Sequence, residues 1–364
     1  MSEMNARERM LAAMSLEPVD RVPTDIWAVA EIWQKLRDWF GEDANLREAL
    51  HIDGMGATWA EYIGPPLPEV PEGELVNFWG IQYRPVPYDT GVYHEQSVWP
   101  LKDTKTIDDL VKHEWPSADW FDYSKMRDIA LAARETQVVA CGYMAIFYTH
   151  LLLRGLEQAL IDPHDDPEYT DYLLNRVSDF LYECHRRMFE ACDGLIDVAQ
   201  VTDDFGSQTG PLISLDTFRI FYRPHMERFI GLCREHNIKV LHHDDGAIRP
   251  FLPDLVEMGI DILNPVQSAC PGMEMNGLKR DFGDKLCFHG GLDNQGVLPF
   301  GTPDDVRAAV REAVDALASD GTGYILAPCH NIQALTPLEN IIAMYDEAWR
   351  YGAVGVRAGS GQAP

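Results

Sequence analysis

Short apolar runs alternate along this chain with longer stretches whose apolar residues recur at helical spacing. Runs of this length, bounded by turn residues, are the pattern of buried strands. Six of them lie from the middle of the chain onward, and two weaker candidates lie near the N-terminus. The eight predicted strands span 21–28, 54–59, 138–143, 196–202, 238–241, 260–265, 286–289 and 324–327.

Two of the intervening stretches carry clear helix signals. Thr302 and Pro303 predict an N-cap followed by proline at the first helical position. Thr336 and Glu339 predict a capping box, and Gly352 is placed to end the helix that follows. Alternating strands and helices predict parallel strands with crossover helices, and eight such units predict a closed (β/α)₈ barrel, the TIM barrel of the α/β class. No Gly-x-Gly-x-x-Gly follows an early strand, which argues against a dinucleotide-binding sheet.

One segment departs from this alternation. Residues from about 64 to 120 are rich in proline and aromatic residues. We expect an inserted β-ribbon or long loop over the mouth of the barrel, not a separate domain. The predicted organisation is one barrel domain over residues 1–355 and a disordered tail over 356–364.

Composition narrows the functional classes. The chain has 364 residues, 46% hydrophobic, and its 58 acidic and 30 basic residues give a net charge of −28. A surface this acidic repels phosphate backbones and anionic lipid, so binding to nucleic acid or to a membrane surface is not expected. The N-terminus has no apolar run, and the seven cysteines are scattered without a Cys-x-x-Cys pair. These features predict a cytoplasmic enzyme with reduced thiols.

Polar and ionisable residues follow five successive predicted strands. In a barrel of this type the active site is built where strands end and the following loops begin. One such residue could be an ordinary cap or turn, but five clusters together favour a catalytic centre. The candidates, in chain order, are Asp203, Asp204 and Gln208; His243 and Asp245; Asn264 and Gln267; His289 and Asp293; and Cys329 and His330.

The strand that ends at His243 offers half of a metal site. Side chains alternate along a strand, so His243 and Asp245 are expected on one face, with His242 and Asp244 on the other. With Cys329 they form the best trio of metal ligands, a set that suits zinc with an open fourth position. The competing interpretation is a hydrogen-bonded His–Asp pair beside an inert cysteine. His330 is expected on the face opposite to Cys329 and is the weaker candidate.

The other candidates also have structural alternatives. Asp203 and Asp204 are suited to capping the next helix, and Asp293 to an Asx turn. Asn264 and Gln267 flank a proline and could satisfy loop backbone, while His289 could pack in the core. Tyr143, at another strand end, is predicted with Asp204, Gln208, Asn264 and Gln267 to line the substrate pocket. Asp203, His289 and Asp293 are predicted to orient substrate or to move a proton.

Several motifs resemble the uroporphyrinogen decarboxylase superfamily, especially its corrinoid-linked methyltransferase branch. The similarity is clearest over residues 195–350, and it implies a (β/α)₈ barrel. The matching pieces are Asp203–Gln208, the His-x-x-Gly loop at His243–Gly246, Gly259–Gln267, Phe288–Asp293 and Thr336–Ile341, with the opening Arg7–Ala13 and Asp20–Pro23.

Two departures from the family pattern bear on function. True uroporphyrinogen decarboxylases carry arginines just after the first strand, whereas this chain has none there before Arg37. Decarboxylation of a polyanionic tetrapyrrole is therefore not expected. The methyltransferases hold zinc through His-x-Cys and a distant cysteine, which correspond here to His243, Asp245 and Cys329. A carboxylate in place of the first thiolate makes the zinc a harder centre and weakens its binding.

The resemblance implies a zinc-dependent methyltransferase that uses a corrinoid, a cobalamin-type cofactor, on a partner protein. The methyl group would pass between the corrinoid and a small acceptor such as a thiol or a folate. A decarboxylase or lyase that acts on a small carboxylic acid through Asp203 and His289 is the alternative, and a non-catalytic binding protein is a third. A homodimer is expected from the resemblance alone.

Overall fold

The computed structural model describes residues 3–88 and 91–359, and within them strands and helices alternate. The strands, in chain order, are β1 (Met55–Ala57), β2 (Glu61–Tyr62), β3 (Leu75–Val76), β4 (Gln82–Tyr88), β5 (Gly91–Val98), β6 (Phe121–Asp122), β7 (Val138–Ala145), β8 (Val198–Thr202), β9 (Lys239–His243), β10 (Ile262–Val266), β11 (Cys287–Leu292) and β12 (Tyr324–Pro328). The helices are α1 (Ala6–Met14), α2 (Ala30–Phe40), α3 (Leu46–Ala49), α4 (Ile107–Lys112), α5 (Met126–Arg134), α6 (Phe147–Arg154), α7 (Leu156–Asp165), α8 (Pro167–Cys192), α9 (Leu215–Thr217), α10 (Arg223–Glu235), α11 (Leu252–Met258), α12 (Met275–Phe282), α13 (Val297–Phe300), α14 (Pro303–Leu317) and α15 (Leu338–Gly359).

The parallel strands curl into a barrel. Seven of them form one sheet in the order β1, β7, β8, β9, β10, β11, β12. The segment 24–28 lies between the two edges, because Thr24 bridges Leu326 in parallel and its carbonyl accepts the backbone N–H groups of Asp53 and Gly54. This closure confirms the predicted (β/α)₈ fold, and all eight predicted strand positions take part in it.

The barrel wall is almost completely buried. Strands β10, β11 and β12 are buried along their whole length, and β9 is buried except at Lys239. Near-continuous apolar runs are required where a parallel strand is covered on both faces. The carboxyl ends of these strands all point to one rim, so the polar residues that follow them are brought together there.

The segment between β1 and β7 contains the predicted ribbon. Strands β4 and β5 pair antiparallel, with β3 beside β4, and β2 pairs with β6. The ribbon reaches α2, since a side-chain carbon at Gly91 would lie 2.6 Å from the carboxylate of Glu31. Its other end is held by α6, where the side chain of Gln96 donates to the carbonyl of Leu152 at 2.6 Å. That the ribbon covers the barrel mouth, and that residues 1–355 form one domain, stay predictions.

Of the three helix-end signals predicted from the sequence, the one at Thr302 is confirmed and those at Thr336 and Gly352 are wrong. The predicted cap of α14 is present as a full capping box between Thr302 and Asp305. The capping box at Thr336 is absent, because its buried hydroxyl has no hydrogen-bond partner. Gly352 does not end α15, which runs on to Gly359; the glycine instead permits close packing, since a side-chain carbon there would lie 3.4 Å from Val22.

Two further findings concern the ends and the surface. The helix α15 includes residues 356–359 of the segment predicted to be a disordered tail, and residues 360–364 lie outside the described residues. Within residues 3–88 and 91–359, no helix is long and apolar enough to cross a bilayer.

Candidate metal centre at the barrel mouth

Three side chains at the carboxyl end of the barrel form a cluster of metal-binding type. The ligand atoms of His243, Asp245 and His330 all lie within 4.8 Å of one another. His330 Nε2 is 3.7 Å from Asp245 Oδ2, and the rings of His243 and His330 are 5.6 Å apart. The cluster is open to the barrel mouth, because the side chains of His330 and Asp245 are 40% and 36% exposed. It can therefore be reached by a small molecule.

Asp204 adds a fourth group beside this cluster. Its Oδ1 lies 4.0 Å from His243 Nε2, and this oxygen is buried without a hydrogen-bond partner. Burial and then the neighbouring carboxylate of Asp245 raise the pKa of Asp204, and they outweigh the opposing effect of His243. An oxygen that is buried, unpartnered and aimed at an imidazole nitrogen fits a place where a cation would satisfy it.

A chain of hydrogen bonds fixes the orientation of His243. Its Nδ1 is 2.6 Å from Asn264 Oδ1, and the amide nitrogen of Asn264 is 2.6 Å from His289 Nδ1. His289 Nε2 lies 3.0 Å from the carboxylate of Asp25. The strand register places the first of these pairs, since His243 and Asn264 are partners in β9 and β10.

The direction of this chain follows from the roles of its groups. A carboxylate only accepts, so His289 donates from Nε2 to Asp25 and accepts from the Asn264 amide at Nδ1. The oxygen of Asn264 then accepts the Nδ1–H of His243. His243 is left with a free lone pair on Nε2, the atom that faces the cluster. Metal-binding histidines are held in this way, with the second ring nitrogen donating to a fixed acceptor.

Trp27 packs against both imidazoles of the chain. Its ring lies 5.5 Å from that of His243 and 5.8 Å from that of His289. The indole N–H donates to Asp25 at 3.2 Å. Trp27 therefore packs over the two imidazole rings and helps to fix the carboxylate at the end of the chain of hydrogen bonds.

The donor set fits a divalent metal ion. Two imidazole nitrogens and one or two carboxylate oxygens are ligands of zinc, and also of iron or cobalt. The free lone pair of His243 and the unpartnered oxygen of Asp204 are the observations on which this fit depends. His243, Asp245 and His330 are the residues that would hold the ion, with Asp204 as a further oxygen donor.

The sequence predicted Cys329 as the third ligand, whereas the third member of this cluster is His330. Its thiol donates to the carbonyl of Val266 at 3.1 Å, and burial raises its pKa to about 12. The expectation that His330 lies on the opposite face is wrong. Strand β12 ends at Pro328, so side-chain alternation no longer holds for the two residues that follow. Cys329 still lines the same cavity as His330 and Asp245, and its predicted role as the third ligand competes with that of His330.

The carboxylates of two predicted catalytic aspartates accept hydrogen bonds from backbone N–H groups. Asp203 is 1% exposed, and its carboxylate accepts the N–H groups of Ile146 and Tyr148 at the start of α6. Burial raises the pKa of Asp203 well above its usual range. Asp293 accepts the N–H of Gln295 at 2.8 Å, as an Asx turn does. Asp293 therefore forms the Asx turn that was its structural alternative, whereas Asp203 bonds to the start of α6, a helix that precedes it in the chain, and does not cap the next helix. The catalytic roles of both residues stay predictions.

The predicted pocket residues do not all line one cavity. Gln208 and Gln267 join at 3.1 Å, and Gln267 also accepts the N–H of Gly246. Both line a cavity of about 280 Å³ beside Asp245 and His330. Tyr143 lies elsewhere, on a second cavity of about 360 Å³ under the ribbon. Asn264 is 1% exposed and serves the hydrogen-bond chain, not the pocket surface.

The opposite face of β9 carries the second His–Asp pair, as predicted. His242 Nε2 lies 3.5 Å from Asp244 Oδ2, and both side chains are fully buried. His242 is anchored by its Nδ1 to the carbonyl of Val201 at 2.9 Å. This pair is buried on the other face of β9 and is separate from the cluster at the mouth.

Asp25 and Trp27 are functional candidates that the sequence interpretation missed. Asp25 lies 264 positions before its partner His289 along the chain. The available signal was their position at the end of the first predicted strand, the same rule that found the other candidates.

Comparisons with known proteins identify a family and a shared fold. The family model described as "Uroporphyrinogen decarboxylase (URO-D)" matches residues 128–351. A solved structure described as "methyltransferase from Methanosarcina mazei" superposes with a TM-score of 0.65 and 19% identity, over 96% of this chain and 99% of that one, which shows a shared fold. The curated protein "Methylcobamide:CoM methyltransferase MtaA" of Methanosarcina barkeri is 28% identical over 148 residues. That match spans 41% of this chain and 40% of the relative.

Proposed function

Since the chain belongs to the uroporphyrinogen decarboxylase (URO-D) family, we propose that it is a zinc-dependent methyltransferase of the corrinoid-linked branch. It would move a methyl group between a corrinoid carried by a partner protein and a small acceptor. The partial similarity to a methylcobamide:CoM methyltransferase supports this choice within the family. A corrinoid protein as partner and a homodimeric assembly come from the family resemblance alone and are part of the proposal.

The proposal rests on the cluster of His243, Asp245 and His330. In this cluster His243 Nε2 has a free lone pair, because Nδ1 of the same ring is bonded to Asn264. Zinc bound there would supply Lewis-acid chemistry that lowers the pKa of a bound acceptor. The chain's own contribution is position: Asn264 and His289 hold His243 so that Nε2 faces the cluster. The open side of the cluster, toward the cavity lined by Gln208 and Gln267, leaves room for the acceptor.

The replacement of thiolate ligands by imidazole and carboxylate bears on the acceptor. Thiolates donate electron density to zinc, whereas Asp245 and His330 leave it harder and more electrophilic. Such a centre activates oxygen and nitrogen acceptors as well as thiols. We therefore propose that the acceptor is a small molecule with a thiol, or a folate-like amine, and that the choice is set by the polar cavity beside the cluster.

The lyase alternative has less support. Its two acid–base groups would be Asp203 and His289, which are 1% and 0% exposed. The oxygens of Asp203 accept backbone N–H groups, and both nitrogens of His289 are hydrogen-bonded. Neither residue presents a free atom to a substrate.

The proposal is tested by methyl transfer from methylcobalamin. The protein is incubated with methylcobalamin and with either CoM or tetrahydrofolate, and loss of methylcobalamin absorbance is followed together with the methylated product. We expect transfer to one acceptor that stops after chelation, returns with zinc and is lost in His243→Ala. Transfer that is unchanged by chelation and by His243→Ala would contradict the proposal, as would none to either acceptor by the zinc-loaded protein.

A further inference from the structure

A second cavity, separate from the cluster, lies between the ribbon segment and the outside of the barrel. It has a volume of about 360 Å³ and is walled by side chains from the insertion, from β7 and from α6 and α8. An apolar cavity of about 150 Å³ is large enough to hold benzene. This cavity therefore has room for a ring with substituents. The seven Phe, Tyr and Trp side chains that line it are Trp59, Phe78, Trp79, Phe121, Tyr123, Tyr143 and Phe180.

The aromatic rings of one wall support each other. Phe78 and Phe121 meet edge to face with centroids 5.1 Å apart, and Trp79 meets Phe180 in the same way at 4.9 Å. Edge-to-face packing of this kind is favourable and holds the rings in fixed orientations. The rings of this wall are thus preorganised, which lowers the entropic cost of binding a ligand.

Several polar groups of the lining, those of Thr149, Tyr123 and His185, are already hydrogen-bonded within the protein. The hydroxyl of Thr149 donates to the carbonyl of Ala145 at 2.6 Å, and the hydroxyl of Tyr123 donates to that of Ala118 at 2.9 Å. His185 donates to Leu181 and accepts the N–H of Tyr143. No Asp, Glu, Lys or Arg side chain lies among the described residues that line the cavity. A charged ligand would lose its hydration there without compensation.

Tyr143 connects this cavity to the side of the barrel that carries the cluster. It is paired with Gln200 in β8, the strand that leads into Asp204. Tyr143 is 40% exposed, and its partial burial, with Tyr148 and then Asp204 contributing, raises the pKa of its hydroxyl. Its hydroxyl has no hydrogen-bond partner within the described part of the chain and is available to donate to an oxygen on a bound ring.

We propose that this cavity binds a neutral aromatic compound bearing an oxygen substituent, with the ring against Phe78 and Phe121 and the oxygen toward the Tyr143 hydroxyl. Binding itself requires neither metal nor corrinoid. That this compound takes part in methyl transfer rests on the proposed function.

The test is calorimetric titration with 1,2-dimethoxybenzene as the probe. We expect saturable binding with about one site per chain, equal in zinc-loaded and chelated protein. Ala60→Phe places a ring inside the cavity and should weaken binding at least tenfold, whereas Ala308→Phe, the same change on an exposed part of α14, should leave it unchanged. If Ala60→Phe does not fold, Cys184→Phe fills the cavity from α8 instead.

Three results would overturn the proposal: no saturable binding to the folded protein, equal affinity in the folded cavity-filling variant, or equally tight binding of tetramethylammonium. Each is independent of methyl transfer. If zinc binding or transfer fails while the probe still binds, only the proposed function is lost. If transfer succeeds and the probe does not bind, only the cavity assignment is lost.

Discussion

The Nδ1 atom of His243 lies 2.6 Å from the side-chain oxygen of Asn264. This contact determines which nitrogen of His243 is free, and it does so through an amide that is itself oriented by His289 and Asp25. Asn264, which is not itself a ligand, thus determines the orientation and tautomer of the ligand His243. The same contact ties two neighbouring strands together at the rim where the cluster forms.

Removal of the Asn264 amide should weaken metal binding. In Asn264→Ala the imidazole of His243 can rotate or change tautomer, so we expect metal affinity to fall about 10–100-fold. Competition with a chromophoric chelator measures this change. Asn340→Ala is the matched control, because Asn340 is also 1% exposed but bonds to the carbonyls of Leu298 and Gly301. Equal affinity of Asn264→Ala and Asn340→Ala would contradict the role given to Asn264.

Adjacent aspartates should respond differently to the same change. Asp203→Asn places an amide against two backbone donors, which should lower the free energy of unfolding by about 1–3 kcal/mol. Asp204→Asn leaves the backbone bonds of α6 intact, so it should cost little stability but reduce metal affinity. Urea unfolding and metal titration of both variants distinguish the two roles. The account fails here if Asp204→Asn is the destabilised variant.

The ion pair of Arg154 with Asp162 should stabilise the protein in a pH-dependent way. Arg154 donates to Asp162 from two nitrogens, at 2.7 and 2.9 Å, and also to the carbonyl of Thr104 in the inserted segment. Burial opposes ionisation of Asp162, but the hydrogen bonds from Arg154 and His150 outweigh it and lower the pKa of Asp162. Asp162→Asn should therefore cost about 3–5 kcal/mol at pH 7.

The sign of the pH dependence follows from the lowered pKa. The contribution is present above the unfolded value of about 3.9 and is lost as pH falls through the folded value. Urea unfolding between pH 7 and pH 3 should thus show the gap between wild type and Asp162→Asn closing only below about pH 4. A gap that is constant down to pH 3 would show that the pair contributes no ionic stabilisation.

Metal removal should lower the Tm of the protein only when the metal-binding cluster is intact. A ligand that binds only the folded state stabilises it by about 2.7 kcal/mol when present at a hundredfold excess over its Kd. We expect a chelator to lower the Tm of the wild type and to leave the Tm of His243→Ala unchanged. Differential scanning calorimetry with and without added zinc measures both. The same chelator-induced shift in His243→Ala would place the metal elsewhere.

The sequence predicted the barrel and much of its rim for simple physical reasons. Apolar runs mark strands buried on both faces, and a parallel barrel gathers their carboxyl ends, so His243, Asp245 and Asn264 were found by position alone. The division of His242 and His243 between two faces also followed, because both lie within β9. The alternation of side chains predicts the face of a residue correctly as long as the residue lies within the strand.

The remaining parts of the site depend on contacts that periodicity does not encode. His330 follows the end of β12, and the loop conformation, not alternation, turns it toward Asp245. Asp25 meets His289 only because the barrel closes, which joins the first segment to the last strands. Asp203 and Asp204 are indistinguishable by type and differ only in which backbone donors lie beside them.

Metal content measured by elemental mass spectrometry shows whether His243, Asp245 and His330 hold the metal. The protein is purified without chelator or affinity metal, as wild type and as His243→Ala, His330→Ala and Cys329→Ala. The account predicts about one zinc per chain in the wild type and in Cys329→Ala, and loss of zinc in both histidine variants. Zinc retained in His330→Ala and lost in Cys329→Ala would contradict it.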